Sequence, residues 1–323
     1  MSLFHDIQNR NLLEECPVGI DSHDWESFRN NYQKAEQFER LDSPVQLDVE
    51  LNGGCNMKCP FCLHGYGDKR PNTLIPIERY KRLIDEAVAL GVRGLKLNYI
   101  NEPMLREDLE QCIAYARSAG ILNVYMVTNG TLLNAKRRTS MLDSGIAKVF
   151  ISLDAATSET YSRQRLSGKF DLVVKNILDF VEERDRRGLA NPLVRVSFLR
   201  NALNIHEEEA FRAFWQDKVD MLAFQKMNDL PDLDSGLTLD DGVTESRGCT
   251  FPFKQLVVDH EGDILPCCKM GGKKLLLGNI DSMTLREAWS SGKMKDLQLM
   301  HKDNRWRENP VCERCITGSN AGA

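Results

Sequence analysis

The densest chemistry in the chain is Cys55-Asn-Met-Lys-Cys59-Pro-Phe-Cys62, a C-x3-C-x2-C run. Each iron of a [4Fe–4S] cluster takes one thiolate, so three thiolates hold three irons and leave the fourth open to another ligand. Zinc is the competing occupant: it takes four ligands, and His64 follows closely enough to complete a set. The spacing, the position directly after an apolar strand and the aromatic Phe61 before the last cysteine favour the cluster.

Five more cysteines lie further on: Cys249, then Cys267-Cys268 closing Gly262-Asp-Ile-Leu-Pro, then Cys312-Glu-Arg-Cys315. A cysteine before a hairpin, one on its return strand and a terminal C-x2-C can converge on one metal centre. Zinc held by four cysteines suits the ligand count as well as iron–sulfur does. Cys268 is the odd member. Adjacent strand residues face opposite ways, so it is expected to be buried apart from the centre that Cys267 joins, or else to serve as a hydrogen-atom donor. Cys16 and Cys112 stand alone. With no apolar secretory segment at the start, the ten cysteines argue for metal rather than a disulfide framework.

These loops need a scaffold, and the pattern supplies one. Apolar runs at 45–51, 94–99, 123–129, 148–154, 193–199 and 221–227 are short, rich in β-branched or aromatic residues and bounded by turn formers. Helical stripes separate them: Ile77 to Val88 stopped at Gly91, Leu109 to Ala116 stopped at Gly120, and Val173 to Val181 ending at Gly188. The alternation predicts an α/β fold, a partial (β/α)6 barrel with a small C-terminal β-hairpin and helix domain. Its chemistry is expected at the carboxyl ends of the strands. The organisation read from these patterns is an N-terminal extension at 1–44, the barrel at 45–227, an acidic linker or loop at 228–248 and the cysteine-bearing tail at 249–323. Within the tail a hairpin is expected to turn at Glu261-Gly262, and Thr284 to Glu287 reads as a capping box. A tail this small is expected to need a metal staple. Residues 1–44 show no clear strand or helix periodicity.

The net charge of -5 argues against a protein that wraps nucleic acid, which needs clustered cations. No run approaches the roughly 18 consecutive apolar residues of a membrane span. A cytoplasmic location is the default expectation.

The first cysteine loop and residues 45–227 resemble the radical SAM superfamily. That resemblance implies S-adenosylmethionine (SAM) and a [4Fe–4S] cluster on Cys55, Cys59 and Cys62. It also implies reductive cleavage of SAM to a 5'-deoxyadenosyl radical, with a flavodoxin or ferredoxin as electron donor. Ile100-Asn101-Glu102-Pro103 resembles the family's Gly-Gly-Glu-Pro motif; both glycines are replaced, but Glu102 keeps the acid that pairs with the methionine ammonium. By the same resemblance Phe61, Asn129, Ser152 and Asp154 are placed at the cofactor, and Arg165 at the methionine carboxylate. The tail resembles the twitch domain, a short form of the SPASM appendage, which implies an auxiliary [4Fe–4S] cluster on Cys249, Cys267, Cys312 and Cys315.

The resemblance is greatest to dehydrogenases and epimerases of sugar and aminocyclitol biosynthesis. It implies a small carbohydrate-like alcohol as substrate, with oxidation or epimerisation as outcome. Such a reaction needs a group that assists deprotonation or holds an oxyanion. Arg195 is the candidate, with Lys96, Ser197 and Gln225 as further strand residues able to face inward, and Cys268 as the candidate thiol. Two other readings compete: a maturase of a ribosomal peptide, to whose recognition domain residues 1–44 are a poor match, and a non-enzymatic metal or electron carrier.

Overall fold

The computed structural model describes residues 5–65, 71–166, 169–227, 235–239, 247–268 and 270–317. Most of the expected linker therefore lies outside the described residues. Among the described residues there are ten strands: β1 (His5–Gln8), β2 (Gln46–Val49), β3 (Gly94–Lys96), β4 (Asn123–Thr128), β5 (Lys148–Ser152), β6 (Leu193–Arg200), β7 (Met221–Lys226), β8 (Gln255–Val258), β9 (Asp263–Leu265) and β10 (Gly278–Asn279). The helices are α1 (Ser22–Glu36), α2 (Ile77–Leu90), α3 (Leu109–Ala119), α4 (Ala135–Asp143), α5 (Ser158–Arg165), α6 (Phe170–Arg186), α7 (Glu208–Trp215), α8 (Phe251–Lys254), α9 (Leu285–Ser290), α10 (Gly292–Lys302) and α11 (Pro310–Thr317).

All six expected strands form, and β2 to β7 are parallel neighbours in chain order. A parallel sheet must be covered by its crossover helices, and alternation along each strand divides the labour. Val149, Ile151, Val194, Val196 and Phe198 face the apolar side and join Ile84, Ile113, Ile177 and Phe180 in one core. The alternate positions carry Gln46, Asp48, Lys96, Tyr125, Arg195 and Ser197, so the inner face of the curled sheet is polar. α2 and α3 stop where expected, because Gly91 and Gly120 adopt φ of 104° and 109°, where other residues are strained.

Two features depart from the sequence reading. Residues 1–44 contain a strand and a helix. β1 pairs antiparallel with β7 at the sheet edge, and α1 buries Trp25 and Phe28 against Val45, Leu122 and Phe253. Their signal is weak because α1 buries only Trp25, Phe28 and Ala35, too few for a clear stripe. The tail, in turn, adds to the barrel's own sheet. β8 pairs parallel with β2, and β9 and β10 follow antiparallel, giving the order β1-β7-β6-β5-β4-β3-β2-β8-β9-β10. Its Leu256, Val258, Ile264, Leu285 and Trp289 belong to the main core. The β8–β9 hairpin turns at Glu261-Gly262 as expected, and Thr284 and Glu287 form the capping box. Among the described residues no helix is long and apolar enough to cross a membrane.

Candidate active site

Cys55, Cys59 and Cys62 sit in the loop leaving the carboxyl end of β2, with Cys59 buried and the other two half-buried. Backbone bonds from Cys62 N to Cys59 O (3.1 Å) and from Gly65 N to Cys62 O (2.8 Å) turn the loop on itself. Burial pushes the Cys55 thiol up to about 11. A backbone N–H at Met57 pulls it down, and Glu102, Cys59 and Cys62 push it up again. Thiols that oppose one another's ionisation in this way are suited to a cationic centre, which offsets the accumulated charge.

A polar web fixes the loop from below. Glu102 accepts from Met104 N (3.1 Å), Thr128 Oγ1 (2.7 Å) and Asn129 N (2.8 Å), so one buried carboxylate ties the β3 loop to the end of β4. Burial raises its pKa against the pull of these donors. Its Oε2 accepts only one of the three bonds and keeps acceptor capacity for an ammonium. Asn129 donates to Asn56 Oδ1 (2.8 Å) and Asn56 donates to Thr131 Oγ1 (2.9 Å), which carries the web into the cysteine loop itself.

Arg165, at the end of α5, completes this end. It pairs with Asp154, donates to Cys59 Sγ (3.5 Å) and lies 5.7 Å from the Phe61 ring. Asp154 accepts from Leu199 N (2.8 Å) and holds a φ of 63°, a strained conformation for a residue with a Cβ. Its carboxylate thus binds Arg165 and the backbone of β6, beside the end where the resemblance places the cofactor. Two buried polar atoms beside Cys59, Arg165 Nε and the Tyr161 hydroxyl, have no protein partner. Native structures rarely leave such atoms unpaired, so a polar ligand fits here. Ser152 lies opposite Ser197 in the β5–β6 register, and Ser197 Oγ is a further buried atom without a partner.

Sequence reasoning missed four members of this end: Asn56, Tyr161, Glu50 and His260. Glu50 accepts from Ile100 N (3.0 Å) and lies 2.8 Å from His260 Nδ1. The imidazole packs on Gly53, where an added Cβ would stand 2.2 Å from the Pro71 carbonyl oxygen and 2.6 Å from Nε2, so this position before Cys55 favours glycine. The glycine pair before Cys55 was the available signal; nothing local pointed to a partner 210 residues away.

Arg195 is set apart from these groups. It pairs in register with Phe150, two residues before Ser152, and stacks on that ring at 3.6 Å. Lys96 is not free either, being ion-paired with buried Asp48, which also accepts from Gln46 (2.5 Å) and Gln255 (3.1 Å).

The second cysteine set gathers at the opposite, amino-terminal end of the parallel strands, before β8 and after β9. Burial pushes Cys249 and Cys312 up to about 12. Cys315 and Cys268 add to the effect on Cys249, and Cys249 and Cys315 to that on Cys312. Cys267 Sγ would lie 3.4 Å from a Cβ on Gly272. β9 ends at Leu265, so strand alternation does not govern Cys267 and Cys268. Cys268 is half-buried rather than buried away, and close enough to influence Cys249, Lys96 and Lys254. This corrects the expectation drawn from strand geometry.

Comparison with known proteins bears on the family and the fold. Residues 249–316 match the iron–sulfur cluster-binding domain SPASM, and residues 49–214 match the radical SAM superfamily. The mycofactocin maturase MftC of Mycobacterium tuberculosis (strain CDC 1551 / Oshkosh) is 34% identical over 145 residues, 43% of this chain and 35% of the maturase. GTP 3',8-cyclase of Tolumonas auensis (strain DSM 9187 / NBRC 110442 / TA 4) is 30% identical over 174 residues, 53% of this chain and 49% of the cyclase. The chain thus matches less than half the length of these relatives. The crystal structure of BtrN in complex with AdoMet and 2-DOIA superposes with a TM-score of 0.54 at 20% identity, covering 83% of this chain and 91% of BtrN, which is a likeness of fold. With half its length matching the family and a SPASM segment behind it, the chain belongs to the radical SAM superfamily and uses SAM with a [4Fe–4S] cluster and auxiliary iron–sulfur chemistry.

Proposed function

We propose that this enzyme oxidises or epimerises an alcohol carbon of a small carbohydrate- or aminocyclitol-like molecule bound on the inner face of the sheet. The observation that carries the reading is the placement of two cysteine sets at opposite ends of one polar surface, joined by the β8–β9 hairpin. In this reading Cys55, Cys59 and Cys62 hold the SAM-binding cluster, and Cys249, Cys312, Cys315 and Cys267 hold the auxiliary one. When bound, these groups supply a hydrogen-abstracting radical and a one-electron acceptor. Arg165 and Glu102 hold the two ends of the methionine moiety by charge-assisted bonds. Asn129 and Asn56 keep the cysteine loop in register with them, and Tyr161 offers a hydroxyl beside Cys59. A flavodoxin or ferredoxin is the proposed electron donor.

Modification of a ribosomal peptide is the second reading, favoured by the name of the maturase that matches in sequence. Residues 5–44 do not themselves form a separate peptide-recognition unit, because β1 and α1 are built onto the barrel. Incubating the reduced enzyme with SAM and panels of polyols and peptides separates the two. A polyol product lighter by a pair of hydrogens, or one carrying solvent deuterium at an inverted carbon, supports the proposal. Modification confined to peptides overturns it.

A further inference from the structure

Arg195 is the least compensated charge on the inner face. It is 9% exposed, its Nε is buried, and among the described residues it makes no hydrogen bond or ion pair. An isolated buried cation is costly, and proteins normally supply it with a carboxylate. Neighbouring groups do not. Asp48 is committed to Lys96, Gln46 and Gln255, and Tyr125 donates to Gln46. Buried Lys148, two residues before Phe150, is a further basic group rather than an anion; it donates to Asn123 (2.8 Å) and lies over Trp25. One step along β6 towards the cofactor end, Ser197 Oγ also lacks a partner. The guanidinium is meanwhile held flat by its stack on Phe150, 3.6 Å from the ring centroid. A stacked guanidinium offers its N–H edge as a planar fork, which matches a carboxylate.

We infer that Arg195 anchors a substrate carboxylate, with Ser197 as an adjoining polar contact, so that the molecule oxidised is a small hydroxy acid of the sugar-acid type rather than a neutral polyol. This rests on the alcohol chemistry proposed above and narrows its substrate. Arg195 is then a binding group that orients the alcohol towards the cofactor end. It is not the proton acceptor, since a guanidinium remains protonated even where burial lowers its pKa to about 10.

The probes are gluconate, glucitol and glucitol 6-phosphate, titrated calorimetrically into the anaerobically reconstituted holoenzyme before any reductant is added. Gluconate is expected to bind at least tenfold more tightly than glucitol. Arg195→Gln and Arg195→Met should each remove that preference, a loss of about ten- to a hundredfold for gluconate with glucitol little changed. Equal binding of gluconate and glucitol to the unmodified enzyme, a preference for the phosphate, or a gluconate preference that survives both substitutions would each overturn the inference. Thermal melts without ligand give an independent check. Arg195→Met should melt no lower than the parent, because it removes an uncompensated buried charge. A large drop would make the guanidinium a structural element and refute the assignment. These titrations require no turnover, so a gluconate preference sustains the anion site even where no 5'-deoxyadenosine forms, an outcome that would sink only the radical reading.

Discussion

The two cysteine sets occupy opposite ends of the same sheet and are held there in different ways. At the SAM end the loop is fixed by side-chain hydrogen bonds: Glu102 to Thr128 and Asn129, Asn129 to Asn56, Asn56 to Thr131, and Glu50 to His260. None of these bonds uses a cysteine. At the other end Cys312 is packed with Leu297, Met300 and Trp306 in a satellite cluster separate from the main core. There the hydrogen bonds come from the cysteines' own backbone, Cys249 N to His301 Nδ1 (3.2 Å) and Cys312 N to Asn309 Oδ1 (3.2 Å), so the first site is preorganised by a side-chain web and the second by backbone bonds and apolar packing beside its thiols.

The largest expected effect comes from breaking the first site chemically while leaving its scaffold. Replacing Cys55, Cys59 and Cys62 by Ala should abolish 5'-deoxyadenosine formation under dithionite and leave about half the iron, with a melting temperature close to the parent's. Retained cleavage would remove the basis for assigning the cofactor to this loop.

Breaking the second site should instead disturb structure. Cys312→Ala with Cys315→Ala should remove the auxiliary iron and lower the melting temperature, by an amount typical of a lost structural metal. If the reaction is an oxidation, product should fall well below 5'-deoxyadenosine. If it is an epimerisation, the loss should follow Cys268→Ala. A folded double variant with normal product and unchanged iron, but less zinc, would identify the tail as a zinc site.

A smaller effect should follow from Glu102→Gln, which keeps the shape but removes the charge. SAM affinity should fall about ten- to a hundredfold, the equivalent of one charge-assisted bond. An unchanged dissociation constant would assign Glu102 wholly to its internal donors.

The smallest expected effect concerns Lys148, whose pKa burial lowers to about 7 from 10.5, with Arg29 and Arg195 adding to the shift. Between those values the unfolded chain binds a proton that the folded chain does not. Stability should therefore rise with pH across that window, by at most about 1.4 kcal/mol per pH unit. Denaturant titrations of Lys148→Met should show that slope flattened, and an identical slope would mean that the ammonium finds water.

Strands, helix stops, the hairpin turn and the first cysteine loop were legible because each is encoded locally: a short apolar run between turn formers, a glycine after a helical stripe, Glu261-Gly262, a fixed thiol spacing. Glu102, Asn129 and Arg165 were singled out only through the order of motifs along the chain, and the fold brings Glu102 and Asn129 together by a hydrogen bond. What escaped is long-range. Nothing near Gly53 announces His260, and nothing in QLVV announces that it will lie parallel to β2. The left-handed backbone that turns Asp154 onto Arg165 and Leu199 N is likewise invisible in Ser152-Leu-Asp154.

The union of β8 with β2 bears on how the chain acquires its shape. Glu50 and His260 stand 210 residues apart, so one flank of β2 stays open until the segment that carries β8 and His260 has emerged from the ribosome. An unpaired, apolar strand edge is a template for unwanted association, and pairing over such a separation is slow. Truncation ahead of Gln255 should accordingly yield an aggregating product instead of a smaller enzyme, and synthesis of the intact chain should depend on chaperones that shield the Gln46–Val49 edge.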